Sequence, residues 1–194
     1  TEVAGQVYAE DLTRDDGTLL FSANSSTVRG AFEVFKVALQ AEAKPIRIVS
    51  APLADVQSAA LSPDGRWLAY YSSESTQAEV YVQSFETGGS RVQVSTAGGN
   101  EPHWAPDGSA LYYAQADGLM MDPLERGSAL SPGKPRMLFS GITKPATDSG
   151  QTYHIAGKGD RFLLLRLGTE GSPAPEVRLI LNWFTELRRI GGGT

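Results

Sequence analysis

Residues 61–85, LSPDGRWLAYYSSESTQAEVYVQSF, alternate between apolar runs and short polar breaks. The run RWLAYYS is almost wholly apolar, as in a strand buried on both faces. EVYVQSF alternates, with Val80, Val82 and Ser84 on one side and Tyr81, Gln83 and Phe85 on the other. Asp64-Gly65 between apolar runs signals a tight turn, because glycine tolerates positive φ and aspartate bonds nearby backbone. Pro63 fixes its own φ and ends the strand before it. The pattern predicts strands near 57–62, 66–73, 79–86 and 91–95.

The same unit recurs. Asp107-Gly108, in HWAPDGSALYYA, follows 43 residues after Asp64-Gly65, and Asp16-Gly17, in LTRDDGTLLFSA, precedes it by 48. In HIAGKGDRFLLL, Lys158 takes the aspartate place and Gly159 the glycine place, 51 residues after Asp107. A period in the forties predicts propeller blades of four strands each. Units are expected near 6–50, 55–95, 101–140 and 152–190, with a flexible tail at 191–194. The first unit predicts strands near 6–12, 18–23, 32–39 and 46–50, and the third near 101–105, 110–115, 119–124 and 136–140. The last has TYHIA, RFLLLRL and EVRLILNW, then FTELRRI with Phe184, Leu187 and Ile190 at helical spacing. A short C-terminal helix or extension is expected there instead of a fourth strand, and residues 1–8 are the candidate to complete that blade. The expected fold is all-β: β-propeller repeats, about four blades of four antiparallel strands, forming a partial ring or half of a larger propeller.

Composition narrows the chemistry. With 194 residues a core can be buried without staples. No cysteine is present, which removes disulfides, thiolate metal sites and cysteine nucleophiles. The net charge is −5 and no basic run occurs, so nucleic acid is not an expected partner. FLLLRL and VRLILNWF each carry an arginine and fall short of the roughly 20 apolar residues of a spanning helix, so no membrane insertion is expected. No signal peptide opens the chain, and Thr1 is not an initiating residue, which points to a piece of a longer protein.

ALSPDGRWLAYYSSESTQAEVYVQSF, followed by VQVSTAGGNEPHWAPDGSALYYA, resembles the TolB-type, WD-like β-propeller repeats of bacteria. It is most similar to the C-terminal propeller region of bacterial serine/threonine protein kinases and related regulators. Leu181-Asn182-Trp183 before a short basic segment fits that pattern. The resemblance covers roughly 55–190 well and the first unit weakly. It implies a sensor or scaffold module, kinase-associated and extracytoplasmic or periplasmic, in a ring of more than four blades. The chain itself carries no kinase phosphate loop, catalytic-loop aspartate or DFG-type aspartate. An open half-ring would expose apolar sheet faces, so either two copies pair into an eight-bladed assembly or further blades lie upstream.

His103 and His154 occupy matching places in consecutive units and are candidates to face the central channel. They are either ordinary strand residues or part of a metal site that would need Glu101 or Asp148 as well. SPGK at 131–134 matches S-x-x-K but lies in a loop without partner motifs, and no G-x-S-x-G elbow occurs. NSS at 24–26 matches a glycosylation sequon, read as an ordinary loop. The Asp-Gly aspartates are turn residues rather than calcium ligands, since no dedicated calcium loop is present. Glu74 and Glu79 are read as solvated loop carboxylates, with a basic ligand as the alternative. Trp67, Trp104 and Trp183 are read as packing between blades, with a sugar platform as the alternative.

Loops joining each outermost strand to the next innermost strand gather at the channel mouth: 50–57, 95–102 and 140–153. The candidate ligand-binding residues are therefore Gln57, Asn100, Glu101, His103, Tyr153 and His154. No catalytic residue, metal or cofactor is expected. The expected function is non-enzymatic recognition of a peptide, protein or glycan. The alternative is the gating propeller of a serine hydrolase or peptidase, or a propeller lyase or hydrolase acting in its channel.

Overall fold

The computed structural model describes residues 5–25, 30–49, 54–116, 118–126, 130–140, 151–157, 159–165 and 177–180. Every regular element among them is a β-strand. The first sheet holds β1 (Val7–Leu12), β2 (Thr18–Asn24), β3 (Phe32–Ala38) and β4 (Ile46–Val49). The second holds β5 (Val56–Leu61), β6 (Trp67–Ser72), β7 (Glu79–Ser84) and β8 (Gly88–Gln93). The third holds β9 (Asn100–Trp104), β10 (Ala110–Gln115), β11 (Gly118–Arg126), β12 (Leu130–Pro132) and β13 (Arg136–Ser140). The fourth holds β14 (Tyr153–Ala156), β15 (Arg161–Leu165) and β16 (Val177–Ile180). Each sheet is antiparallel, and β1, β5 and β9 lie side by side as the innermost strands of successive blades. The architecture is an all-β propeller.

Strand alternation assigns each side chain to a blade interface. On β6, Leu68 and Tyr70 join Leu20, Val34 and Val56 in the core between the first and second blades. Ala69 of the same strand joins Val80, Leu111 and Tyr113 in the core between the second and third. Ala110 and Tyr112 of β10 join Tyr153, Phe162 and Leu164 between the third and fourth. β7 reads as an alternating strand, yet its two faces are both buried, with Tyr81 and Gln83 covered by the first blade. Gln83 is buried because its side chain is bonded on both ends: Oε1 accepts from the Tyr70 hydroxyl and Nε2 donates to the Ile48 carbonyl.

The turns follow the expected chemistry with one shift of register. In the second blade Asp64 Oδ1 accepts from the Ser62 hydroxyl (2.6 Å) and the Arg66 N–H (3.2 Å), and Gly65 has φ +72°. In the first blade those roles fall to Asp15, bonded by Thr13 and the Gly17 N–H, and to Asp16, with φ +54°. The first unit is thus 49 residues before the second, not 48, because aspartate takes the left-handed position that glycine takes elsewhere.

Three further expectations are corrected. Val7 and Tyr8 pair with Ala23 and Ser22 in the first blade instead of completing the last one. β11 runs longer than expected, its first half paired with β13 and its second with the unforeseen β12. Ser131 and Pro132 of SPGK therefore lie in a strand, and the Gly133 N–H donates to Asp122 Oδ1 and the Pro123 carbonyl. A three-residue strand is too short to show a periodicity. Asn24 of the sequon likewise ends β2 and pairs with Phe32. The fourth-blade extension at 184–190, Trp183, Asp148 and Lys158 lie outside the described residues.

Glu79 is not a solvated loop carboxylate. It is 2% exposed and accepts from the Ser95 hydroxyl, the Gly98 N–H and Gln77 Nε2. Ser95 and Gly98 tie β7 to the loop leading into the third blade, and Gln77 bonds it from the turn before β7. Glu74 is salt-bridged to Arg91. Trp104 packs in the core between the second and third blades and donates its Nε1–H to the Ala60 carbonyl, and Trp67 packs against the same core.

Candidate functional site

The innermost strands frame a cleft of about 530 Å³ along the propeller axis. Gln57, Asn100, Glu101, His103 and His154 line it, together with Tyr8, Glu10, Asp11, Tyr71 and Gln151. Tyr153 does not line it. Its ring is buried in the core between the third and fourth blades and its hydroxyl donates to the Glu101 carbonyl at 2.6 Å. Burial, with the Glu101 carboxylate next in effect, raises the Tyr153 phenol well above its ordinary range.

A bulge in each of β1, β5 and β9 shapes this wall. Ladder register slips between Ala9 and Asp11 in β1, between Gln57 and Ala60 in β5, and beside His103 in β9. Ser58 and Glu101 take φ values of +53° and +51° at these points, a conformation that L residues adopt only when neighbours hold them. The neighbours here are in adjacent blades. Glu10 Oε1 accepts from the Ser22 hydroxyl and the Ser58 N–H (3.2 Å). Glu101 Oε2 accepts from the Thr152 N–H (2.8 Å) and hydroxyl (2.6 Å). Asp11 Oδ2 accepts from the Leu61 N–H at 2.8 Å. Burial raises the Glu10 carboxyl above its usual range, partly offset by the hydrogen bonds from Ser22 and Ser58.

Asp55, just before β5, is a second junction. It accepts from the Phe32 N–H, from Gln57 Nε2 and from the Tyr71 hydroxyl, the last at 2.9 Å. Gln57 is thereby turned along the wall and held by its carboxylate partner.

His103 and His154 stand side by side, ring centroids 6.5 Å apart and nearly perpendicular. His103 also packs edge-on against Tyr153, 4.8 Å between centroids. Burial first, then the neighbouring His154, lowers the His103 pKa to about 4, so this imidazole is neutral at pH 7. His154 is solvent-exposed and open to a ligand. Among the described residues no group of three His, Asp or Glu side chains is arranged to hold a metal ion.

Sequence reasoning missed Glu10, Asp11, Asp55 and Tyr71. For Glu10 a signal existed: counting back six residues from Asp16 and from Asp107 reaches Glu10 and Glu101. Asp55 and Tyr71 carry none, because their meeting depends on where β5 and β6 pair.

No family model matches the chain, and no curated protein matches it in sequence. Solved structures do match its shape. TolB from Acinetobacter baumannii aligns over 86% of this chain and 43% of its own, at 18% identity and a TM-score of 0.54. An oligogalacturonate lyase from Vibrio parahaemolyticus aligns over 85% of this chain and 46% of its own, at 17% identity and a TM-score of 0.56. An oligogalacturonate lyase in complex with manganese aligns over 90% of this chain and 47% of its own, at 15% identity and a TM-score of 0.61. The similarity is one of fold, of the TolB-like propeller type. The chain spans just under half the length of each of these three proteins.

Proposed function

We propose that the chain is a non-enzymatic binding module, the sensor or scaffold part of a larger propeller protein, which recognises a peptide, protein or glycan at the mouth of the axial cleft. The observation that carries this reading is the state of the cleft's acids. Glu10, Asp11 and Glu101 all accept hydrogen bonds from backbone or hydroxyl donors of neighbouring strands. Groups committed to holding blades together are poorly placed to move protons or to bind a metal. What remains for a ligand is a hydrogen-bonding rim of Tyr8, Gln151 and His154.

The described lining contains three carboxylates and neither lysine nor arginine. Such a wall favours neutral or cationic ligands and disfavours anionic ones. The TolB-like repeats support an extracytoplasmic setting, and their resemblance to kinase-associated propellers supports a sensory role within a longer chain.

The adjacency of His103 and His154 and the likeness to a manganese-bound lyase favour a second reading, a channel enzyme. Against it stand the missing third ligand among the described residues and the missing basic residues that an acidic sugar would need.

Screening of the chain on peptide and glycan arrays, followed by titration of the hits, tests the proposal. The expected result is binding to neutral or basic ligands that falls by about tenfold or more in Gln151→Ala with His154→Ala. Stoichiometric manganese binding lost in His103→Ala, or turnover of a polysaccharide, would overturn it in favour of the enzyme.

A further inference from the structure

We infer that the outward face of the first blade is a blade-stacking interface whose occupant is a second copy of this chain, pairing two four-bladed halves into one ring. Binding by the cleft does not depend on it, but the axial cleft would then be walled by the innermost strands of both copies.

The inference rests on repeat-equivalent positions. On the second strand of each later blade, two residues face the preceding blade: Leu68 and Tyr70, Leu111 and Tyr113, Phe162 and Leu164. All six are buried, at 0–7% exposure. Their counterparts in the first blade are Leu19, half-buried, and Phe21, 4% exposed, which lie on the side away from the second blade and line a groove there. The likeness extends across the sheet. Tyr70 stacks on Tyr81 with centroids 6.0 Å apart, under the first blade, and Phe21 stacks on Phe35 at 5.5 Å in the matching place. Val56 is 0% exposed against the first blade, whereas Val7, its counterpart, is 44% exposed. Leu39, which lines the same groove, is 55% exposed. Between this face and the segment 38–45 runs a groove of about 700 Å³ lined by Val7, Leu19, Phe21, Val37, Leu39 and Pro45. Among the described residues Val7 and Leu39 are left exposed on this apolar face, and apolar surface of this kind marks a site for packing against another surface.

The shape of the missing partner follows from the same repeats. Leu20, Ala69 and Tyr112 present the opposite face of their strands, toward the following blade. Leu163 holds that place in the fourth blade, and alternation turns it away from the third. Leu20 and Val56 share the core of the first interface. Leu163 of one copy and Val7 of the other would meet in the same way. The chain spans just under half of the propellers it matches, so two copies supply the length of one. The contact occurs twice around a two-fold axis, and the ring closes.

Sedimentation equilibrium of the 194-residue chain tests this directly. The expected species is a dimer, twice the 20.7 kDa of one chain. Val7→Lys and Leu163→Glu should each yield folded monomers, with dimerisation weakened by about a hundredfold or more by burial of an unpaired charge. Val7 is nearly half-exposed in the single chain, so Val7→Lys should melt cooperatively as a monomer. An equimolar mixture of the two variants should re-form a heterodimer, which has one Lys–Glu interface and one wild-type interface. A wild-type chain that sediments as a monomer at micromolar concentration would overturn the inference and leave the face to a blade from elsewhere in a longer protein. Folded variants that do not recombine would overturn it as well.

Discussion

Glu10 and Glu101 make the same bond in different blades. Glu10 accepts the N–H of Ser58, and Glu101 accepts the N–H of Thr152. Ser58 and Thr152 hold equivalent places, four residues before the carbonyl that closes each blade's first turn, at Ser62 and Ala156. Glu101 itself holds that place in the third blade, whereas Glu10 sits one residue later because the bulge in β1 falls there. Each carboxylate thus laces one innermost strand to the next on the wall of the cleft.

Glu101→Ala should destabilise the fold. The Thr152 amide and hydroxyl both lose an acceptor in a site where Glu101 is 6% exposed. A buried donor left unpaired costs about 1–3 kcal/mol. Glu101→Gln retains an acceptor oxygen and should cost less. Chemical denaturation of the two variants checks the order, and an Ala variant as stable as wild type contradicts it.

Glu10→Gln should act differently with pH. Burial raises the folded-state pKa of Glu10 above that of the unfolded chain. The folded protein therefore holds this proton more tightly, and the stability it contributes is present below the unfolded value of 4.5 and lost as pH rises through the raised value. A neutral glutamine keeps the acceptor for Ser58 without that loss. Wild type and variant should diverge in melting temperature as pH rises past 4.5, with the variant at least as stable at pH 7. A variant that is less stable only at neutral pH would refute this account of Glu10.

His103 works in the opposite direction. Its pKa falls from 6.5 to about 4 on folding, so the unfolded chain takes up a proton that the folded chain refuses. Stability should decline as pH drops from 6.5 toward 4, by an amount on the order of 3 kcal/mol if the full shift is expressed. Proton NMR of the imidazole reads the titration directly. His103→Gln should flatten that part of the pH–stability curve, and an imidazole titrating near 6.5 in the folded state would rule the burial effect out.

Gly99→Ala should be among the most damaging small substitutions in the second blade. A Cβ there would lie 2.6 Å from Ser95 Oγ and 3.0 Å from Val80 Cγ2. Ser95 is the hydroxyl that donates to buried Glu79 and accepts from the Val80 N–H. The added methyl must displace this cluster, at a cost of about 1–3 kcal/mol. By contrast Asp64→Ala removes turn bonds to Ser62 and Arg66 at an exposed turn and should cost about 1 kcal/mol. Thermal melts of the pair give the comparison, and equal losses would show that the Ser95–Glu79 cluster yields to the methyl.

Most of the architecture was legible in one dimension because it is a local pattern repeated. Asp64-Gly65 and Asp107-Gly108 mark turns through their own φ and side-chain bonds, so their meaning needs no distant partner. The apolar run at 66–73 disclosed a strand buried on both faces for the same reason. Even the equivalent placement of His103 and His154 followed from counting along the repeat. The sequence alone also reached five residues of the cleft wall, since innermost strands line the axis of any propeller.

Other features were decided only in three dimensions. Asp15 rather than Asp16 takes the turn-bonding role because backbone φ chooses between adjacent aspartates. Tyr153 points into a core and not into the cleft, since the ladder with Leu164 sets which face it shows. Glu79 looks like a loop acid, and only its meeting with Ser95 and Gly98, 16 and 19 residues away, makes it a buried brace. The type and order of the strands, β12 apart, lay in the sequence, as properties of short segments. The role of each polar side chain came from contacts between segments up to 52 residues apart, as between Glu101 and Tyr153, which no local pattern encodes.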